Sequence, residues 1–221
     1  MSGRLIFAGL FTEGKTDDRF LEPVVQRALR ELAFECKGET EIEVRVISID
    51  KSGLSFAEQV VKAAEKGYED FGIMLLCVHT DADDRTDETI QRTKIEPARE
   101  ALTEAETDVV LAALVPVPMT EAWMLADKEL LKIQLGTHQS NRALNIDKAP
   151  EQTRNPKAVI EEAIRRAESE RSKGRRRHQL DISELYQIMG QAMPAAKLDT
   201  LAAYRKFKDE LRQALKQLNF L

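Results

Sequence analysis

The chain has 221 residues, 43% hydrophobic and 32% charged, enough for one core of ordinary size with a helical appendage beside it. A net charge of -5 excludes a broadly basic surface that coats nucleic acid, because phosphate neutralisation supplies most sequence-independent affinity; any such contact is local, cation-assisted or shared with a partner. No stretch approaches the roughly 18 to 20 apolar residues of a membrane span, the start MSGRLIFAGLFTEG lacks a secretory cleavage pattern, and Cys36 and Cys77 have neither disulfide nor metal-site spacing, so a cytoplasmic protein without membrane contact is expected.

Over the first 127 residues, short apolar runs alternate with longer helical patterns, the signature of βα units and a mostly parallel sheet. The first run, Arg4 to Phe11, predicts a strand. The following loop, Gly9-Leu-Phe-Thr-Glu-Gly-Lys-Thr16, satisfies the phosphate-cradling pattern G-x-x-x-x-G-K-[ST]. Such a cradle works because backbone N–H groups and a helix N-terminus point at phosphate. Glu13 would place a carboxylate inside that anion receptor, and Leu10 and Phe11 are bulky where the cradle needs small residues. The competing reading takes Glu13 as a strand-end carboxylate, Gly14 as a turn, and Thr16 or Asp17 as the cap of the next helix. A blander account, in which Glu13, Asp17 and Asp18 only complement a helix dipole, also stays open.

Asp17 to Leu32 carries Phe20, Leu21, Val24, Val25, Ala28, Leu29 and Leu32 at amphipathic helical spacing. A second strand is expected over Glu43 to Ile49, a helix over Leu54 to Tyr68, and a third strand over Gly72 to Val78. That strand runs into His79-Thr-Asp-Ala-Asp-Asp84. Extended geometry points Asp81 and Asp83 to the same side, where both can reach one hard cation through oxygen ligands. The alternative is a solvated acidic loop capping the helix from Thr86 to Glu104, which Pro97 interrupts. His79 is expected as a packed strand-end histidine or as a positioner of water. A fourth strand, Val109 to Val117, ends in Val-Pro-Val-Pro118, after which Thr120 would cap a helix holding Glu121, Trp123, Leu125 and Asp127. For Glu121, metal ligation and dipole complement stand level.

Beyond residue 127 no strand is expected. Polar loop chemistry fills Gly136 to Thr153. A helix then opens with Asn155 as N-cap and Pro156 in its first turn, ending near Gly174. Asp181 and Glu184 form the pattern of a capping box, and Leu198, Leu201, Phe207, Leu211, Leu215 and Leu218 stripe a last helix. The chain thus divides into an α/β domain at 1–130 and a helical extension, 131–221, packed on it.

Glu13-Gly14 after the first strand, Asp81-Ala-Asp83 after a later one, and the alternating frame over about residues 4 to 127 together resemble the TOPRIM domain of type IA topoisomerases, primases and OLD-family nucleases. The wording LFTEGKTDDRFLEPVV, HTDADD and PMTEAWMLAD is most similar to a bacterial TOPRIM-related family of unsettled function, some of whose members are encoded beside ATPases in phage-defence neighbourhoods. The resemblance implies a mostly parallel four-stranded TOPRIM-like (Rossmannoid) sheet flanked by helices with a C-terminal helical extension. It implies Mg²⁺ (or Mn²⁺) on Asp81 and Asp83, with Glu13 as metal ligand or general acid/base, and Glu121 matches an acidic position of the closer family.

With no tyrosine-nucleophile domain, zinc motif or polymerising module, the activity expected is metal-dependent phosphodiester hydrolysis of DNA or RNA. Lys15, Arg85 and Lys94 are candidates to meet phosphate charge, and Lys173, Arg175, Arg176 and Arg177 to hold a nucleic-acid backbone. An ATPase partner and homo-oligomerisation are left open. So is a non-catalytic regulatory subunit that binds metal and never cuts.

Overall fold

A computed structural model describes residues 3–169 and 180–221. Four strands, β1 (Arg4–Phe11), β2 (Thr40–Val46), β3 (Leu75–His79) and β4 (Val110–Leu114), form one sheet in the order β2-β1-β3-β4, with every pairing parallel. Parallel pairing requires a crossover for each strand. These are α1 (Lys15–Ala33), α2 (Phe56–Phe71), and a segment made of α3 (Glu88–Ile90), a π turn (Gln91–Ile95) and α4 (Glu96–Glu104). The expected α/β class with C-terminal helices is therefore what the chain adopts.

Strand residues alternate between two cores, as a sheet covered on both faces demands. Ile6, Ala8, Leu10, Leu75, Cys77, Ala112 and Leu114 face α1 and the C-terminal helices. Phe11, Leu76, Val78, Leu111, Ala113 and Val115 face α2 and α4. The C-terminal helices share the first core with the sheet. They comprise α5 (Thr120–Met124), α6 (Lys128–Leu135), α7 (Pro156–Ser169), α8 (Ile182–Ala192), α9 (Ala195–Leu198) and α10 (Ala202–Gln217). Trp123 is fully buried there, edge-on to Tyr204 with ring centroids 5.3 Å apart.

Several boundaries differ from expectation for local reasons. β2 begins at Thr40 and stops at Val46, because the ladder to β1 runs Arg4↔Thr40 through Leu10↔Val46. Gly72, expected in β3, instead ends α2 in the left-handed conformation (φ 65°), and α2 opens on a Ser55–Glu58 capping box. β4 ends before Pro116, whose ring cannot donate to the ladder. The helix expected over Thr86 to Glu104 starts at Glu88 and widens into the π turn just before Pro97, where the Glu96 N–H reaches the Gln91 carbonyl. That widening accommodates a proline that can neither donate nor tolerate a normal preceding turn. The last helix is broken at Leu201, which is extended (φ -87°, ψ 134°) between α9 and α10.

The phosphate-cradle reading is overturned by the register. Gly9 lies inside β1, paired with Arg45 and Leu76, and Leu10 and Phe11 continue the ladder, so Gly9 to Phe11 form no loop. A phosphate cradle needs those residues free of the sheet.

Candidate active site

The ladder registers Phe11↔Val78 and His79↔Leu114 bring the carboxyl ends of β1, β3 and β4 side by side. The chain leaves β1 in one direction to build β2 and reaches β3 on the other side, so the β1/β3 edge is the point where strand order reverses, the place where open parallel sheets bind ligands. The segments that leave this edge carry Glu13, then Asp81 with Asp83, and then Glu121 in the first turn of α5.

Glu13 follows β1 by two residues and is 41% exposed. Its Oε1 accepts from the Thr80 hydroxyl at 2.6 Å and from Lys94 Nζ at 2.7 Å, and Lys94 also donates to Thr80 Oγ1 at 2.9 Å. Lys94 belongs to the π turn, whose extra backbone atoms re-aim this side chain toward the site. The loop itself is pinned from beneath: Lys51 Nζ donates to the Thr12 carbonyl at 2.6 Å and to the Glu13 carbonyl at 3.0 Å. The Thr12 hydroxyl lies 2.6 Å from Asp18 Oδ1. Gly14, extended and without a side-chain cap, opens α1, so neither Thr16 nor Asp17 caps it as expected.

Asp81 lies deeper, with its side chain 22% exposed. Its Oδ1 accepts the Thr120 N–H at 2.9 Å and stands 3.2 Å from both the Thr120 hydroxyl and His79 Nε2. Thr120 therefore does not cap α5; Met119 occupies that position and the threonine hydroxyl is turned to His79 and Asp81. Asp127, expected within the same helix, instead caps α6 by accepting the Glu129 and Leu130 N–H groups. His79 is fully buried. Burial opposes its charged form, but the hydrogen bond and charge of Asp81, with Asp17 and Glu13 behind it, outweigh that and hold its pKa above the ordinary value.

Asp83 adopts a left-handed backbone (φ 54°), a conformation aspartate tolerates better than most residues, and its N–H is tied to the Pro118 carbonyl at 2.8 Å. Burial and the charges of Asp81 and Glu13 raise its pKa, against the pull of Lys94. Glu121 is 5% exposed, and its Oε1 accepts a short hydrogen bond from the Tyr186 hydroxyl on α8.

Asp17 joins this group, although its sequence context suggested only a helix-cap or helix-dipole role. Its carboxyl is pushed up to about 6, first by burial and then by the neighbouring charges of Asp81 and Glu121, with His79 and the Thr120 hydroxyl pulling the other way. Glu13, Asp17, Asp81, Asp83 and Glu121 thus form one electrostatically coupled patch at the sheet edge. The donors are hard oxygens, the chemistry that Mg²⁺ and Mn²⁺ take. The unneutralised charge is the stress a divalent cation relieves. As the side chains stand, no three His, Cys, Asp or Glu residues among the described residues are placed to enclose an ion. Glu13 is held by Lys94 and Glu121 by Tyr186.

Of the other expected contacts, Lys15 is exposed at the first turn of α1 and Arg85 is exposed on the loop after Asp83 and Asp84. Lys94 pairs with the Glu13 carboxylate. Lys173, Arg175, Arg176 and Arg177, and the expected helix end near Gly174, lie outside the described residues. Among the described residues, no helix is long and apolar enough to cross a membrane. Comparison of the chain with protein-family models, curated proteins and solved structures finds no match.

Proposed function

We propose that this chain is a metal-dependent phosphodiesterase of the TOPRIM type that cuts nucleic acid. The observation that carries the reading is the convergence of Glu13, Asp17, Asp81, Asp83 and Glu121, from the loops and first helical turns that follow three adjacent parallel strands, at the carboxyl edge where open parallel sheets bind ligands. A structural role does not call for so much negative charge in one place, since like charges there cost stability.

Asp81 and Asp83 would hold Mg²⁺ or Mn²⁺, with Glu13 at the rim and Asp17 and Glu121 on the inner side. The chemistry such a cation would supply there is polarisation of a phosphate oxygen and acidification of a water. The chain's own groups complete the chemistry. Glu13, the most open of the hydrogen-bonded acids, is the group to take a proton at Oε2, the oxygen that Thr80 and Lys94 do not engage, and the Lys94 ammonium, 2.7 Å from Glu13 Oε1, would meet negative charge growing on the phosphate. Thr120 and His79 fix the orientation of Asp81. Lys15 and Arg85 flank the edge as phosphate contacts. An intracellular setting and an ATPase partner belong to the same proposal.

A second reading, a regulatory subunit that binds metal without cutting, is favoured by one feature: Lys94 already occupies Glu13, so the site rests closed on itself. The two separate in a panel of single- and double-stranded DNA and RNA incubated in Mg²⁺, Mn²⁺ and EDTA beside Glu13→Ala and Asp81→Ala. Cleavage that needs metal and both carboxylates supports the nuclease. Metal binding with no cleavage of any substrate supports the regulatory subunit.

A further inference from the structure

Close to the acidic edge, Asp83, Arg85, Pro118, Thr153 and Arg154 line one groove of about 760 Å³. One wall is the loop after β3; the other is the turn Pro150–Gln152 and the residues that lead into α7. A space of this size falls in the range of pockets that take ligands of nucleotide size, about 300 to 1,000 Å³.

The charges along the groove are not equivalent. Glu151 is already engaged, its two oxygens accepting the N–H groups of Ala202 and Ala203 at 3.0 and 2.8 Å where α10 begins. Asp84 Oδ1 accepts the Arg85 N–H at 2.7 Å. The guanidinium groups of Arg85 and Arg154 are exposed and have no hydrogen-bond or ion-pair partner among the described residues, whereas Arg99, Arg165, Arg166 and Arg212 are each committed to a carboxylate. A guanidinium is a planar fork of donors matched to a phosphate, and two of them line one groove together with a candidate metal ligand.

We propose that this groove carries a single nucleic-acid strand away from the carboxylate site, with Arg85 and Arg154 each holding a backbone phosphate. The inference rests on the nuclease reading and adds a place for the strand to it: the strand lies between the Asp83 loop and the segment that leads into α7, and the protein grips phosphates there without reading bases. It also favours single strands, or frayed ends, over intact duplex.

The test is fluorescence anisotropy of labelled single-stranded DNA and RNA oligonucleotides and of a blunt duplex, in Ca²⁺ across a salt series, with cleavage in Mg²⁺ or Mn²⁺ followed in parallel. Wild type, Arg85→Ala, Arg154→Ala, Arg154→Lys and, on the opposite end of the molecule, Arg30→Ala are compared. Each alanine variant in the groove is expected to bind a single strand severalfold more weakly and to lower the slope of log affinity against log salt by about 0.7, the value for one lost single-strand phosphate contact. Arg154→Lys keeps the slope, and Arg30→Ala matches wild type. The proposal is overturned, and the nuclease reading kept, if wild type cuts while both alanine variants bind with unchanged affinity and slope, or if only the duplex binds. If wild type neither binds nor cuts, both readings fail together.

Discussion

Tyr186 on α8 donates its hydroxyl hydrogen to Glu121 at the start of α5, across 65 residues of sequence and inside the protein. Burial, then the hydrogen bond to Glu121, pushes the Tyr186 pKa far up, so the hydroxyl stays a donor at any working pH. The C-terminal helices thus supply a fixed partner for a carboxylate of the α/β edge. Tyr186→Phe leaves that carboxylate buried without its donor. Urea denaturation in EDTA is expected to show a loss of about 1 to 3 kcal/mol. No change in the midpoint would mean that Glu121 finds another donor.

The raised carboxyl of Asp17 gives a pH-dependent expectation. In the fold it keeps its proton to about pH 6, whereas its ordinary value is 3.8. The folded state therefore binds more protons between these limits, and the contribution of this group to stability falls as pH rises from about 4 to 6, then stays low. Asp17→Asn removes the ionised form. In EDTA the variant should match wild type below pH 4 and exceed it by roughly 1 to 2 kcal/mol at pH 8, a figure reduced from the full shift because the group is only partly buried. Cleavage should be lost in the same variant. Equal stability at both pH values would remove Asp17 from the coupled patch.

Close approach of α8 to α1 rests on Gly190. A Cβ there would stand 2.5 Å from the Phe20 carbonyl oxygen and 2.8 Å from Phe20 Cα, backbone atoms that cannot swing aside. Alanine would gain about 1 kcal/mol of helix propensity, but overpacking of this kind costs about 1 to 3 kcal/mol. Because the contact is with backbone, the clash is expected to win. Gly190→Ala should lower the thermal midpoint, and a higher midpoint would show that the two helices separate easily.

Lys94 separates stability from chemistry. Its pair with Glu13 is partly exposed, with side chains 32% and 41% accessible, so its loss should change stability by less than about 1 kcal/mol. On the proposed chemistry, in which the ammonium meets charge on a reacting phosphate, its removal should cost roughly a hundredfold in rate. Lys94→Met is therefore expected to fold like wild type and cut far more slowly. A variant that folds and cuts normally would leave Lys94 with only a resting role.

The sheet was legible because buried parallel strands must be short apolar runs: Arg4–Phe11 needed no correction. Glu13, Asp81 and Asp83 were legible for the same reason, as acids placed directly after such runs. Asp17 was not, since an acid in the first turn of a helix serves the dipole equally well, and only the packing of α1 against the β3 and β4 loops turns it toward Asp81 and Glu121. Tyr186 leaves no local signal at all, being an aromatic on an amphipathic helix whose partner is set by tertiary packing. Thr120 looked like a helix cap because threonine before Glu-Ala-Trp fits one. The buried His79–Asp81 pair competes for its hydroxyl and wins.

The strand-end acids are proposed to form a site for a divalent cation. Calorimetric titration of Mn²⁺ into wild type, Asp81→Asn and Asp83→Asn at pH 7.5 measures this most directly. Saturable binding by wild type, weakened at least about tenfold in each variant, is the expected result. Absence of saturable binding by wild type, or binding that neither substitution alters, would contradict it.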